Sequence, residues 1–210
     1  MAPNTKPRPA GIRDEVAALK RARTIEAAVE LFYEHGYENT TLDAVAERMG
    51  VTKPFIYAHF SSKTELLAEI CSRAITSSLE AINSVIPLKS SPTEKMRLLG
   101  QRFAAAVLTS QMHMAIFSRE EKNLNPADWN RINDMRRDFD RKLTGLINEG
   151  ISTGEFKLHD ARMAALAIGG MVSWAYVWYR PKRRLSLENV AEELGAMIVQ
   201  MVTGSPQPVG

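Results

Sequence analysis

Between Thr41 and Lys63 the chain carries groups suited to holding a polyanionic backbone. Lys53 and Lys63 bring ammonium charges, Thr41 and Thr52 hydroxyls, Tyr57 a phenol and His59 an imidazole. Lysine neutralises phosphate and releases counterions whatever the base sequence, while hydroxyl and ring donors fix register on the backbone. Phe55 can touch a thymine methyl from the same segment, and Pro54 lies between it and Lys53. Each residue has a plainer alternative. The lysines can be solvated surface charge, Phe55 can pack into a core, Tyr57 can close a helical corner, and His59 can end a helix.

These side chains act together only if the local elements present them on one surface. Thr40-Thr41-Leu42-Asp43 supplies hydroxyls to cap a helix, with an acid in its first turn ahead of Val45, Ala46 and Met49. Gly50 ends that helix, and Thr52 caps a short third one through Phe55, Ile56 and Tyr57 to about His59, with Pro54 in the first turn, where no intrahelical donor is missed. Small Ala46 lets the two helices approach, Gly50 permits the turn, and Val45, Val51 and Ile56 bury the corner. This is helix-turn-helix spacing, in which the second helix enters a DNA major groove while its N-terminus and the preceding helix meet phosphate. A helical corner alone also occurs in proteins that never meet DNA.

The wider segment is more specific. Phe32-Tyr33-Glu34-His35-Gly36-Tyr37, Thr40-Thr41-Leu42-Asp43-Ala44-Val45-Ala46, Gly50-Val51 and Ile56-Tyr57-Ala58-His59-Phe60-Ser61-Ser62-Lys63-Thr64-Glu65-Leu66-Leu67 together resemble the Tet repressor (TetR) family over about residues 20 to 70. The resemblance implies a homodimeric, ligand-responsive repressor on a palindromic DNA operator, with a small N-terminal DNA-binding domain and a helical C-terminal domain. It puts Thr41 at the start of helix two facing phosphate, Lys53, Phe55 and Tyr57 on the recognition helix, and Lys63 on backbone phosphate. Pro54 departs from the glycine or serine more usual at its position.

Composition agrees with such a chain. Its 210 residues, 45% hydrophobic and 24% charged, suffice for one domain or two small ones and exclude wholesale disorder. Net charge is only +3, so a nucleic-acid surface must come from local clusters, among them Lys6, Arg8, Arg13, Lys20, Arg21 and Arg23. The single Cys71 cannot build a disulfide framework or a zinc site and is expected to be a buried, reduced thiol. The polar, proline-bearing start has no signal core, which predicts a cytoplasmic protein. Expected boundaries are a basic arm over 1–13, a helix-turn-helix domain over 14–61, a ligand-binding and dimerisation domain over 62–204, and a tail over 205–210.

An all-α fold follows from helical stripes and caps throughout, with no run of alternating β-branched residues. Three short helices come first, the earliest from Asp14 to a stop at His35-Gly36. Ser62-Lys63-Thr64-Glu65 is a capping box that opens a long fourth helix joining both domains, the natural lever between them. Ser91-Pro92, Asn125-Pro126, Asp160 and Ser186 mark later starts, and the helix from Asp160 runs to about Tyr179. Met163 to Trp178 is nearly all apolar or small, too short for a membrane span and without a solvent face. That predicts cover by a second subunit, and the family pairs its last two helices with their symmetry mates. Gly169, Gly170 and Gly195 suggest close helix crossings.

A second resemblance concerns the effector. Gly170 to Pro181, with Asn148 to Phe156, is similar to a subgroup of these regulators that senses coenzyme A (CoA) thioesters in lipid, steroid or aromatic-acid breakdown, although Val177 stands where a basic residue is common. An acyl or ring moiety would want an apolar cavity, for which Phe103, Val107, Met112, Met114, Phe117, Trp174 and Trp178 are candidates against the alternative that they are core. Its phosphates would want guanidinium groups from Arg136, Arg137, Arg141, Arg180 or Arg183. Alternatives are a drug-like inducer with an efflux pump as regulated gene, a helical carrier or enzyme without DNA binding, and a protein-docking adaptor. No phosphate loop, nucleophile elbow or metal-ligand spacing occurs, so no catalytic residue, metal or cofactor is expected, and His113 and His159 stand alone.

Overall fold

Helix starts follow the caps. In the computed structural model, which describes residues 11–181 and 185–204, Thr41, Ser91, Asn125, Asp160 and Ser186 each accept a hydrogen bond from a backbone N–H two or three residues on, satisfying a donor the first turn leaves open. The elements are α1 Ile12–His35, α2 Leu42–Met49, α3 Lys53–Tyr57, α4 Lys63–Asn83, α5 Pro92–Thr109, α6 Gln111–Glu120, a 3₁₀ turn Glu121–Asn123, α7 Pro126–Ser152, α8 Ala161–Ser173, α9 Ala175–Trp178 and α10 Leu187–Thr203. Among the described residues there is no strand, and no helix is long and apolar enough to cross a membrane.

Four local expectations are corrected. The first helix is long, because nothing breaks it between Ile12 and His35, and the Asp14 carboxylate accepts from the Gly11 amide at its start. Thr52 stands at the N-cap position of α3, but its hydroxyl makes no capping bond. The box opening α4 is split. The Glu65 amide donates to Ser62 Oγ, while the Glu65 carboxylate reaches past Ser62 to the Ser61 amide and hydroxyl, both at 2.8 Å. The helix from Asp160 is not continuous to Tyr179; it breaks at Trp174 into α8 and α9.

The chain divides into two units after Leu67, somewhat beyond the boundary expected at residue 61, because the start of α4 belongs to the first unit. The core of that unit is Ile25, Ala28, Phe32, Val45, Ile56, Phe60 and Leu66, all essentially inaccessible. In the second unit the core joins α4, α5, α7, α8 and α10 through Ile82, Met96, Phe103, Leu143, Ile168 and Ile198. There α5 and α10 cross at two glycines: a Cβ on Gly100 would lie 2.7 Å from the Gly195 Cα. Gly169 and Gly170, by contrast, have open space where a Cβ would stand, so within one chain they mark no crossing.

On α8 the buried residues Ala164, Ala165, Ile168 and Val172 leave Met163 and Leu166 exposed, at 63% and 51%. On α10, Met197 and Met201 are likewise exposed.

Candidate functional site

The corner between α2 and α3 is fixed by backbone geometry. Gly50 takes the left-handed conformation, φ 65°, that a Cβ disfavours. It lets the Gly50 amide donate to Glu47 O and the Val51 amide to Ala46 O, both at 3.0 Å, so the last carbonyls of α2 are satisfied as the chain turns. Ile56 is fully buried and anchors α3. One anchor on so short a helix leaves the rest of its circumference outward: Thr52, Lys53 and Pro54 are exposed, Tyr57 is 54% exposed, and Phe55 and His59 are half-buried. Phe55 meets the His59 ring edge-on at 5.4 Å, with the Lys20 ammonium 5.4 Å from its face. Thr41 is exposed, its hydroxyl oxygen accepting from the Ala44 amide at 3.1 Å.

The two lysines differ. Lys53 reaches Asp43 on α2, and the bond to that carboxylate raises the lysine pKa above its ordinary value. Lys63 donates to Tyr37 O at 2.8 Å and Glu38 O at 3.3 Å, with its ammonium 4.2 Å from the Tyr37 ring centroid. It therefore fastens the start of α4 to the turn after α1.

Arg21 turns inward rather than along the exposed side of α1. Its guanidinium donates to His59 O at 2.6 Å, lies 4.1 Å from the Phe60 ring centroid and stands 3.5 Å from the Glu65 carboxylate. Burial raises the Glu65 carboxyl, but bonds from the Ser61 amide and hydroxyl and the nearby Arg21 charge outweigh it and hold the group below its ordinary value. Arg48 similarly ties α2 to Glu30 and Glu34 of α1, at 3.0 and 2.9 Å. The expected arm residues Lys6 and Arg8 lie outside the described residues, as does Arg183.

The second unit contains an apolar cleft of about 310 Å³ lined by Ile75, Phe103, Met114, Phe139 and Leu166, with Arg136 and Asp140 on its wall. Beside it a groove of about 570 Å³ runs between α7 and α8, lined by Arg137, Arg141, Arg162, Thr144 and Gly145. Asp140 and Leu166 belong to both.

Of the sequence candidates, Phe103, Met114 and Arg136 line the cleft, and Arg137 and Arg141 line the groove. Val107 is packed in the core and Phe117 is buried under the Arg136 guanidinium, so neither stands on the cleft wall. Met112, Trp174 and Trp178 face outward, at 41%, 61% and 48% exposure; the two tryptophans continue the exposed stripe of Met163, Leu166 and Gly170 at helical spacing, opposite the buried stripe of Ile168, Val172 and Ala175. Arg180 folds back to donate to Val177 O and Tyr179 O, closing the end of α9. Asp140, Arg162, Phe139 and Leu166 were not among the sequence candidates. The first two lie on helix faces whose charge pattern reads as ordinary solvated surface.

Cys71 is buried, and burial with Glu121 and Glu120 nearby pushes its thiol up to about 12. Among the described residues no group of three or more His, Cys, Asp or Glu side chains could hold a metal ion.

A helix-turn-helix head followed by a helical unit with its own cleft describes a DNA-binding regulator of the one-component kind. Family comparison makes that specific: the model described as bacterial regulatory proteins, tetR family, matches residues 25–70, and the tetracyclin repressor-like C-terminal domain model matches residues 89–202. The chain belongs to the TetR family of transcriptional regulators, which act by binding DNA and not as enzymes.

Among its relatives, the HTH-type transcriptional repressor KstR2 of Mycolicibacterium smegmatis is 26% identical over 98% of this chain and 97% of its own length. The TetR family regulator PfmR from Thermus thermophilus superposes with a TM-score of 0.78 at 27% identity, over 85% of this chain and 97% of that one. AibR, solved in complex with isovaleryl coenzyme A and operator DNA, shares the fold at TM-score 0.74 and 22% identity, over 89% and 99% of the two chains.

Proposed function

We propose that the protein is a homodimeric repressor that holds a roughly palindromic operator through its two α2–α3 heads and releases it when a CoA thioester occupies the second unit. The observation that carries the effector assignment is the adjacency of the apolar cleft and the arginine groove, which share Asp140 and Leu166. An acyl or small ring moiety suits the cleft, since apolar walls with a few polar groups are what such moieties require. Phosphates suit Arg137, Arg141 and Arg162, because guanidinium groups pair with phosphate oxygens in bidentate fashion. The isovaleryl CoA of AibR and the repressor role of KstR2 support the same reading.

On DNA, Thr41, Thr52, Lys53, Tyr57, His59 and Lys63 contact phosphate, while Pro54 and Phe55 lie against base edges in the major groove. Dimerisation uses α8 and α10, whose exposed Met163, Leu166, Met197 and Met201 form an apolar face that a second copy would cover. Lys63 to Leu67 of α4 belong to the head and the rest of that helix to the second unit, so α4 is the covalent path by which the effector reports. A switch from 99:1 to 1:99 requires about 5.5 kcal/mol of effector preference for the released state.

The test is fluorescence anisotropy with DNA from upstream of the protein's own gene. Salt-sensitive, sequence-preferring binding that short acyl-CoA esters reverse is the expected result. Release by apolar drug-like compounds and not by esters would assign the inducer to that other class.

A further inference from the structure

Asp140 is the acidic group on the wall of the cleft. It stands on α7 where the apolar cleft opens into the arginine groove, and it lines both. Among the described residues its carboxylate makes no hydrogen bond and no ion pair within 4.0 Å; the Thr144 hydroxyl donates to its backbone carbonyl, not to its side chain. Phe103, Phe139, Met114 and Leu166 surround the same space. Burial raises its pKa, against the lowering effect of Arg136 and Arg162. The neighbouring Arg136 is already engaged, 3.9 Å from Glu121 Oε2 and 5.6 Å from the Phe117 ring centroid. The carboxylate opens on the cleft, and an occupant that displaces solvent from it must supply a donor in its place.

We propose that Asp140 is a specificity-determining residue that accepts a hydrogen bond from an N–H or O–H of the effector at the mouth of the cleft and excludes ligands ending there in a free carboxylate. This rests on the thioester reading and deepens it. The arm joining a thioester to the CoA nucleotide carries amide N–H groups and a hydroxyl, and a ligand with its acyl end in the cleft and its phosphates on Arg137, Arg141 and Arg162 passes that arm across Asp140. A free acid of the same chain would instead set its carboxylate beside that of Asp140, where like charges repel.

The experiment measures binding of one short-chain acyl-CoA, the corresponding acyl-pantetheine thioester and the free acid by calorimetry, on the full-length wild type and on Asp140→Asn. The amide keeps a carbonyl acceptor and removes the charge. Wild type is expected to bind both thioesters and to disfavour the free acid, and D140N to tighten for the free acid about tenfold while its thioester affinity changes by less than about threefold. An unchanged ratio of ester to acid affinity in D140N, with the wild type still preferring esters, would overturn the role of Asp140 and leave the effector class standing. A wild type that binds the free acid as tightly as the ester would also overturn it. If the wild type binds no thioester, the effector reading itself fails and this inference with it. A melting curve for D140N within about 2 °C of wild type checks that the variant is folded.

Discussion

Lys53 on α3 is ion-paired with Asp43 on α2, across the turn at Gly50 and within the same head. Both side chains are exposed, so the pair adds little to stability, but it occupies the ammonium expected to meet phosphate. If Lys53 meets phosphate as proposed, Asp43 competes with the DNA backbone for its ammonium.

Removing that competitor should strengthen DNA binding. Asp43→Asn is expected to raise operator and non-specific affinity together and to steepen the dependence of log K on log salt by about 0.9, one further phosphate. Lys53→Ala should lower affinity, with no loss of slope beyond what wild-type Lys53 contributes. Anisotropy titrations over a salt series read both, and a D43N slope equal to wild type would show that Lys53 makes its phosphate contact regardless of Asp43.

Arg21 holds the joint between α3 and α4 and is not expected to touch DNA. Arg21→Ala loses the bond to His59 O, the Phe60 face and the Glu65 pair. With 33% of the side chain exposed, the loss is roughly 1 kcal/mol of stability, below the usual range for a charged hydrogen bond. Urea melts should register it, and the salt slope of DNA binding should not move. A reduced slope with unchanged stability would instead make Arg21 a phosphate ligand.

Two glycines of the second unit should respond in opposite directions. Gly100→Ala pushes a methyl against Gly195 Cα and 3.0 Å from Ile198 Cδ1, so overpacking of about 1–3 kcal/mol is expected. Gly169→Ala meets nothing within 4 Å and gains helix propensity of about 1 kcal/mol, while narrowing the cleft it lines. Denaturant unfolding of the two variants decides the comparison.

Acid should weaken the fold through His113. Burial first, then the Arg73 charge, lowers its pKa below 6.5, so the unfolded chain takes up a proton that the folded chain refuses. This contribution is fully present above pH 6.5 and is lost as pH falls from there toward the lowered folded value. His113→Gln should flatten the stability profile in that window, as measured by melting temperature against pH.

Legibility in the sequence tracked how local each signal was. Capping residues such as Asn125 and Asp160, the glycine at Gly50 and small Ala46 four residues before it act within a few residues, and the helix starts and the corner they announce are where they were expected. The start of α6 lacked such a mark, since Ser110 makes no side-chain cap. Trp174 shares a helical stripe with Met163, Leu166 and Gly170, and in a segment apolar on every side nothing in the sequence says which stripe faces the core. The cleft was legible only through Phe103, Met114 and Arg136. Asp140 and Arg162 come together from different helices, and tertiary packing, not spacing, brings them there. Asp43 was recognised as a helix-start acid, but its hold on Lys53 depends on the angle of the corner.

The most direct test of the DNA-reading head is a paired substitution on its exposed side, Lys53→Ala with Tyr57→Ala, titrated against the protein's own upstream DNA beside the wild type. Both side chains are exposed, so the melting temperature should hold within about 2 °C while sequence-specific affinity falls by about a hundredfold or more. A folded double variant that binds the same DNA with wild-type affinity would contradict the assignment of α3 to the major groove.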